Sequence, residues 1–276
     1  MKQRMEQEYV LGTHDEEIQR LGLQHRVWRS KVLDCWHRSG IREGSRVLDI
    51  GAGPGYATLD LAEIVGSSGQ IIAVERSNRF VEFAQAACRS RGFNNVQLHE
   101  LDLMSDDSLP AEGVDAAWCR WVASFVSSPA TLIKRLATAI KPGGVAIFHE
   151  YVDYSTWRLA PPNQALEEFV NQVMESWRSS GGEPNIALQL PSLLAEAGFT
   201  IRCATPQIFC ASPADYVWQW PASFININLK RLLELGRVSE AWVTTVRHEF
   251  AAAASNPSSL MLTPMVLEII AERNAQ

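Results

Sequence analysis

Several signatures are missing from this sequence, and each absence removes a class of protein. None of the five cysteines (Cys35, Cys88, Cys119, Cys203, Cys210) forms a C-x-x-C pair or stands at metal-binding spacing from a histidine. Structural zinc is therefore not expected, metal is assigned to no residue, and a reduced, cytoplasmic setting is the default. No apolar run approaches the ~18 residues that a membrane span requires. The opening M-K-Q-R-M-E-Q-E has no apolar stretch of the kind found in secretion signals. Lys and Arg are scattered and the formal net charge is −6. A nucleic-acid binder usually shows a basic stripe, so no nucleic-acid partner is expected. Internal repeats and low-complexity segments are also lacking. What remains is a chain of 276 residues, 46% hydrophobic and 20% charged, long and apolar enough to bury a sizeable core.

The most informative stretch is R-V-L-D-I-G-A-G-P-G, from Arg46 to Gly55. Val47, Leu48 and Ile50 suit a buried parallel strand. Gly51, Gly53 and Gly55 follow at alternate positions, and Tyr56 to Val65 reads as a helix. Strand, glycine loop and helix make the nucleotide-binding corner of an open α/β sheet. A dinucleotide fingerprint requires Gly or Ala at the sixth position counted from Gly51, where Tyr56 stands. Pro54 has no N–H to offer a phosphate, and the Gly-Lys-Ser/Thr ending of a Walker loop is missing. The loop is thus read as taking a nucleoside without a pyrophosphate, with the Asp49 carboxylate suited to a cationic or amine-bearing ligand.

Alternating elements follow. Strands are predicted at Val47–Ile50, Gln70–Glu75, Val96–Glu100, Val114–Cys119 and Val145–His149, with helices at Tyr56–Val65, Arg79–Arg91 and Ala130–Ile140. Such alternation argues for a parallel sheet with right-handed crossovers. Before it, Thr13 to Arg38 reads as a helix with Thr13 and Glu16 as a capping box, weakened by Gly22. After it, Leu166, Phe169, Val170, Val173, Met174 and Trp177 give Asn163–Ser179 a helical apolar stripe. Further helices are predicted at Pro191–Ala197, Leu229–Leu235 and Val238–Ala254, and a strand at Thr200–Phe209. Met265–Ala271 is a further strand, with Pro264 at its start or at a bulge.

V-L-D-I-G-A-G-P-G-Y resembles motif I of the class I S-adenosylmethionine-dependent methyltransferases, and the later pieces of that family follow in order. I-I-A-V-E (Ile71–Glu75) resembles its second strand, L-H-E-L-D-L (Leu98–Leu103) its third, and A-W-C-R-W-V (Ala117–Val122) the end of its fourth. Ile140-Lys141-Pro142-Gly143-Gly144 through Phe148 resembles its L-K-P-G-G-x-x-x-F motif. Within the class the chain is most similar to the small-molecule enzymes related to quinone-biosynthesis methyltransferases. The N-P-P-Y/F motif of amino-group methyltransferases is absent after the fourth strand, where Cys119-Arg120-Trp121-Val122 stands.

The resemblance implies an α/β, Rossmann-like sheet of seven strands, mostly parallel, with helices on both faces. Its last strand is antiparallel and lies between the fifth and sixth. A helical lid comes from the N-terminus and two insertions. The expected division is an N-terminal helical cap at 1–44, a cofactor-binding core at 45–150, a first lid insertion at 151–198, the sixth strand at 199–211, a second lid insertion at 212–258 and the final strand at 259–276. The cofactor is S-adenosyl-L-methionine and the partner a small-molecule substrate. Methyl transfer would proceed by in-line displacement at the sulfonium. The chain is expected to be a monomer or homodimer.

The resemblance also distributes roles. Gly51, Ala52, Gly53 and Gly55 would let the cofactor approach bare backbone, and Asp49 would take its ammonium. Glu75, with Arg76 beside it, would accept both ribose hydroxyls, a spacing shared with NAD enzymes. Asp102 and the Leu103 amide would read the adenine. Arg120 pairs with the methionine carboxylate, shapes the substrate site, or forms a surface salt bridge. Tyr9 folds over the cofactor or simply packs. His149, Glu150 and Tyr151 at the end of the fifth strand are candidate bases, with no preference among them. Trp157, Trp218 and Trp220 are the candidate pocket walls, whereas Trp177 is assigned to the core. The rival readings are an NAD(P)-dependent oxidoreductase and a non-catalytic binding protein that keeps the cofactor fold. A macromolecular methyltransferase is a variant reading.

Overall fold

The computed structural model describes residues 15–105 and 108–275. The expectations for Tyr9 and for Thr13 as a helix cap lie outside the described residues. In chain order the elements are α1 (Asp15–Arg38), β1 (Arg46–Ile50), α2 (Tyr56–Val65), β2 (Gln70–Glu75), α3 (Asn78–Ser90), β3 (Val96–Glu100), β4 (Val114–Arg120) and α4 (Pro129–Ala139). There follow β5 (Ile140–Asp153), β6 (Arg158–Ala160), α5 (Gln164–Ser179), α6 (Leu190–Glu196), β7 (Phe199–Gln207), β8 (Cys210–Ala211), α7 (Gln219–Glu234), α8 (Glu240–Ser255), β9 (Leu260–Leu262) and β10 (Met265–Arg273).

A seven-stranded sheet runs in the order β3-β2-β1-β4-β5-β10-β7. Pairings from β3 to β5 are parallel, and β10 is antiparallel to both β5 and β7. The last strand of the chain therefore lies between the fifth and sixth strands of the sheet, as expected. Because β1 pairs with β2 on one side and β4 on the other, the chain reverses direction of travel there. A crevice opens at the carboxyl ends of strands at such a switch point.

Period-two alternation sorts side chains into two cores. Val47, Ile71, Ala116, Trp118 and Ile147 pack beneath α1, α2, α5, α7 and α8. Leu48, Ile72, Ala117, Cys119 and Phe148 pack against α4 and α6 on the opposite face. Burial on both faces explains why β1 and β2 read as continuous apolar runs. Helix ends follow local chemistry: the Ser128 hydroxyl accepts from the Thr131 amide ahead of Pro129 in the first turn of α4, and the Asn163 side-chain oxygen Oδ1 accepts from the Leu166 amide at the start of α5.

Three features differ from the sequence reading. The segment 151–198 is not all lid, because α6 packs with α4 and β7 as the helix of a crossover. Helix α7 begins at Gln219, ten residues before its predicted start at Leu229 (229 − 219), because Trp220 and Ile225 supply buried contacts ahead of the predicted stripe. A second sheet, β6-β9-β8, was not anticipated; strands of two or three residues leave no period to detect. It ties the first inserted segment, through β6, and the stretch that follows β7, through β8, to the stretch that leads into β10. Pro264 precedes β10, whose pairing with β5 shifts register between Met265 and Val266.

Candidate active site

A cleft, partly open to solvent, lies above the carboxyl ends of β1, β2 and β4. Its floor is the loop after β1. Gly51 has φ of 63° and a β-carbon there would sit 2.4 Å from Val122. A β-carbon on Gly55 would sit 2.7 Å from Ala84 in α3. Gly53 differs: its φ is 55° and a β-carbon would meet nothing within 4 Å. Its bare face is the one a ligand can approach, and a side chain would fill that space.

The loop amides are already committed. Ala52 N–H donates to Val74 O at 3.0 Å and Gly55 N–H to Ala52 O at 3.1 Å. Gly53 N–H donates to Glu75 Oε2 at 3.0 Å, and Pro54 has none. Phosphate-binding loops work by aiming such amides at the anion, and these four positions have none to aim. Glu75 Oε1 accepts from Ser77 N–H at 2.8 Å. Each carboxylate oxygen thus keeps a lone pair for a vicinal diol. Burial pushes the Glu75 carboxyl upward, opposed by the Ser77 and Gly53 amides.

Asp49 is buried at the end of β1, its Oδ2 accepting from the Thr58 hydroxyl at 2.6 Å. Burial pushes its carboxyl up to about 6, against the Thr58 bond and the charge of Arg120. A cation placed beside it would favour the ionised form. Asp102 follows β3, is exposed, and holds its own turn by accepting from Met104 N–H at 2.9 Å. Ala52, Arg76, Asp102 and Leu103 all line the cleft. The acids and the open glycine therefore form a cradle suited to an adenosyl group bearing a positive charge, and unsuited to a pyrophosphate.

Arg120 ends β4 on the cleft wall. Its guanidinium lies 5.2 Å from the Trp121 ring centroid, and one nitrogen lies 3.1 Å from His25 Nδ1. Arginine can only donate, so Nδ1 is an acceptor and the ring proton sits on Nε2, which donates to Asp60 at 3.0 Å. Arg29 holds Asp60 from the other side at 2.8 Å. Burial lowers the His25 pKa, and the charge of Arg120 adds to this against the pull of Asp60. The other terminal nitrogen of Arg120 is buried and has no hydrogen-bond partner among the described residues. Burial brings the guanidinium down to about 10, opposed by Asp49. Arg120 is thus no surface salt bridge; it is held internally with one donor in reserve.

The three candidate bases separate. His149 is fully buried and bonds Glu268 at 2.9 Å, outside the cleft wall. Against the upward pull of burial, bonds from His149 and Arg38 hold Glu268 at about 2. Glu150 is equally buried, on the opposite face, and its Oε1 accepts from the Val122 and Ala123 amides at 2.7 and 2.8 Å. It fixes the turn that carries Trp121 at a φ of 53°. Tyr151 alone of the three lines the cleft.

The tryptophans also redistribute. Trp157, Trp218 and Trp220 are buried core and do not line the cleft. Trp157 packs on Tyr154 and Phe169, Trp218 on Phe250, and Trp220 on Trp28 and Trp121. Trp177, assigned to the core because it completes the α5 stripe, both packs and lines the cleft, beside Trp118, Trp121, Phe125 and Phe224. A stripe position near a helix end can serve both roles, which periodicity does not separate. The sequence reading also missed Glu17, Arg20, Gln24 and His25, a buried polar file on α1. Their spacing of i, i+3, i+7 and i+8 was a visible signal that one helix face is polar and inward.

Comparison with known proteins adds the following. A family model described as a methyltransferase domain matches residues 41–200. A demethylmenaquinone methyltransferase of Lactococcus lactis is 29% identical over 153 residues, 55% of this chain and 57% of that protein. The ubiquinone/menaquinone biosynthesis C-methyltransferase UbiE of Serratia proteamaculans is 25% identical over 154 residues, 54% and 57% of the two chains. The chain spans about half the length of the curated relatives it matches. Among solved structures, the YcgJ protein of Bacillus subtilis superposes with a TM-score of 0.55 at 17% identity, covering 85% of this chain and 94% of that one. The 4+2 cyclase SpnF superposes with a TM-score of 0.54 at 21% identity, covering 88% and 80%. These two likenesses show the fold alone, and the second is a reminder that one fold hosts several reactions.

Proposed function

From the premise that this chain belongs to the family of methyltransferase domains, we propose that it transfers a methyl group from S-adenosylmethionine to a small-molecule acceptor. The observation that carries the reading is the state of the glycine loop. Its amides are consumed internally, its one open face is Gly53, and the acids Asp49, Glu75 and Asp102 surround it. That arrangement fits a cationic nucleoside and disfavours the phosphates of a nicotinamide dinucleotide.

In this reading Glu75 accepts the ribose hydroxyls, Asp102 and Leu103 read the adenine, Asp49 takes the ammonium and Arg120 the methionine carboxylate. Bound S-adenosylmethionine supplies an activated methyl group on sulfur. The protein supplies position: aromatic walls from Trp121, Phe125, Tyr151, Trp177 and Phe224 continue the same cleft and hold an acceptor ring against the donor. Such placement can be worth ~7–11 kcal/mol without any strong base. With His149 and Glu150 engaged elsewhere, Tyr151 is the remaining candidate for receiving an acceptor proton.

The test is calorimetric titration with S-adenosylmethionine and S-adenosylhomocysteine. Saturable binding of both is expected; binding of neither would overturn the reading, and preferential binding of NADH would replace it.

A further inference from the structure

The geometry points to Gln24 as the residue that selects the acceptor, by donating a hydrogen bond to an oxygen on an uncharged, flat, aromatic molecule. This rests on the methyltransferase reading only for the word acceptor; the site itself is built from the following contacts.

Gln24 is 8% exposed and lines the cleft from α1. Its Oε1 accepts from Arg20 at 2.9 Å and from the Trp220 indole N–H at 3.0 Å. Both neighbours can only donate, so the atom between them is the oxygen and the amide cannot be flipped. Among the described residues its Nε2 has no hydrogen-bond partner. Because Gln24 lines the cleft, its amide N–H₂ is left to the cleft interior, where a ligand oxygen can accept from it.

The surroundings set the class of ligand. Arg20 is neutralised by Glu17 through two contacts of 2.7 and 2.6 Å, so beside Gln24 there is a donor but no net charge. The rest of this end of the cleft is aromatic and pre-assembled. Trp121 stacks on Tyr151 with centroids 5.6 Å apart, and Phe125 meets Trp177 at 4.5 Å. Interlocked rings of this kind hold a slot for another ring with little reorganisation. Trp220, placed behind Gln24, is a positioning residue that acts through the amide.

The probe pair is 1-tetralone and tetralin, which share shape and differ in one carbonyl oxygen. Their dissociation constants are measured by tryptophan fluorescence, with and without S-adenosylhomocysteine. The intact chain should prefer the ketone by about tenfold, the scale of one net hydrogen bond. Gln24→Glu keeps an oxygen for Arg20 and Trp220 but removes the donor, and should bring the preference to unity or below. Trp220→Phe leaves the amide with one anchor and should reduce the preference by part of that factor. Should Gln24→Glu not fold, Gln24→Met carries the same expectation. No preference in the intact chain, or an unchanged preference in folded Gln24 variants, overturns the proposal. Failure to bind S-adenosylhomocysteine with the ketone preference intact overturns the methyltransferase reading and leaves the Gln24 site standing.

Discussion

Gly22 and Tyr56 occupy one volume: a β-carbon at Gly22 would lie 2.9 Å from both the Cζ and the hydroxyl oxygen of Tyr56. That hydroxyl donates to Ile18 O at 3.2 Å. The first residue of α2, at the tip of the glycine loop, is thereby seated in a notch of α1. Two oddities of the sequence, a helix-weakening glycine and a bulky residue at the sixth loop position, are halves of one contact.

Gly22→Ala gains about 1 kcal/mol of helix propensity but drives a methyl into the ring, an overpacking cost of ~1–3 kcal/mol. The expected net effect is destabilisation in urea unfolding, together with weaker S-adenosylhomocysteine binding because the loop moves. In a Tyr56→Ala background the notch is vacant, so the same change should stabilise by about 1 kcal/mol. A double-mutant cycle reads the difference as coupling. Equal effects in both backgrounds would show that the two residues do not constrain each other.

His25 predicts a pH dependence. Its unfolded pKa is the ordinary 6.5 and its folded value is lower, through burial first and Arg120 second. The unfolded chain therefore binds more protons in that window. This contribution to stability is complete above pH 6.5 and is lost as pH falls toward the folded value. Protonation would also place a ring N–H against Arg120, with Asp60, Arg29 and Tyr56 as the other neighbours. His25→Gln should flatten the stability profile as pH falls below 6.5, measured by urea midpoints. An equally steep profile in the variant would remove His25 as the cause.

The sequence was most readable where one physical signal dominated. Gln70–Glu75 and Val96–Glu100 emerged as predicted because each is a short run bounded by turn residues. The order of the sheet came through the resemblance, since strand position is not encoded by periodicity. The inward polar file on α1 was legible only in the spacing of Glu17, Arg20, Gln24 and His25. Trp220 looked like a pocket wall, but its indole N–H supports Gln24 from behind. Nothing local in a sequence says which side of a tryptophan meets the ligand. The strained turn at Trp121 was equally hidden, because its support, Glu150, lies 28 residues away from Val122.

The acids of the cleft should respond differently to losing their charge. The Asp49 carboxylate accepts a bond from the Thr58 hydroxyl, which an asparagine carbonyl can still accept. Its folded pKa of about 6 lies above the ordinary 3.8, so the folded chain binds more protons there and stability falls as pH rises from 3.8 to 6. Asp49→Asn should therefore stabilise the fold at pH 7.5 by about 1–3 kcal/mol, read as a higher melting temperature. The same change should weaken S-adenosylhomocysteine, and the intact chain should bind it more weakly below pH 6. A lower melting temperature in Asp49→Asn would mean that the charge is matched within the protein and is not reserved for a ligand.

Glu75 and Asp102 complete the contrast. Glu75 accepts from two backbone amides, Gly53 and Ser77. A glutamine has one acceptor oxygen, so Glu75→Gln turns an N–H toward an N–H. That should cost about 1–3 kcal/mol of stability despite the relief of a buried charge, and it should weaken S-adenosylhomocysteine as well. Asp102 is exposed, and its carboxylate accepts from the Met104 amide. Asp102→Ala should leave the melting temperature within about 2 °C, since exposed changes fall within ±0.5 kcal/mol. Its affinity should nonetheless drop roughly tenfold, the scale of one hydrogen bond to a charged acceptor. The informative quantity is the split: stability and affinity fall together for Glu75, and affinity falls alone for Asp102. If Asp102→Ala binds S-adenosylhomocysteine as tightly as the intact chain, the adenine is read elsewhere, and the Leu103 backbone becomes the first place to look.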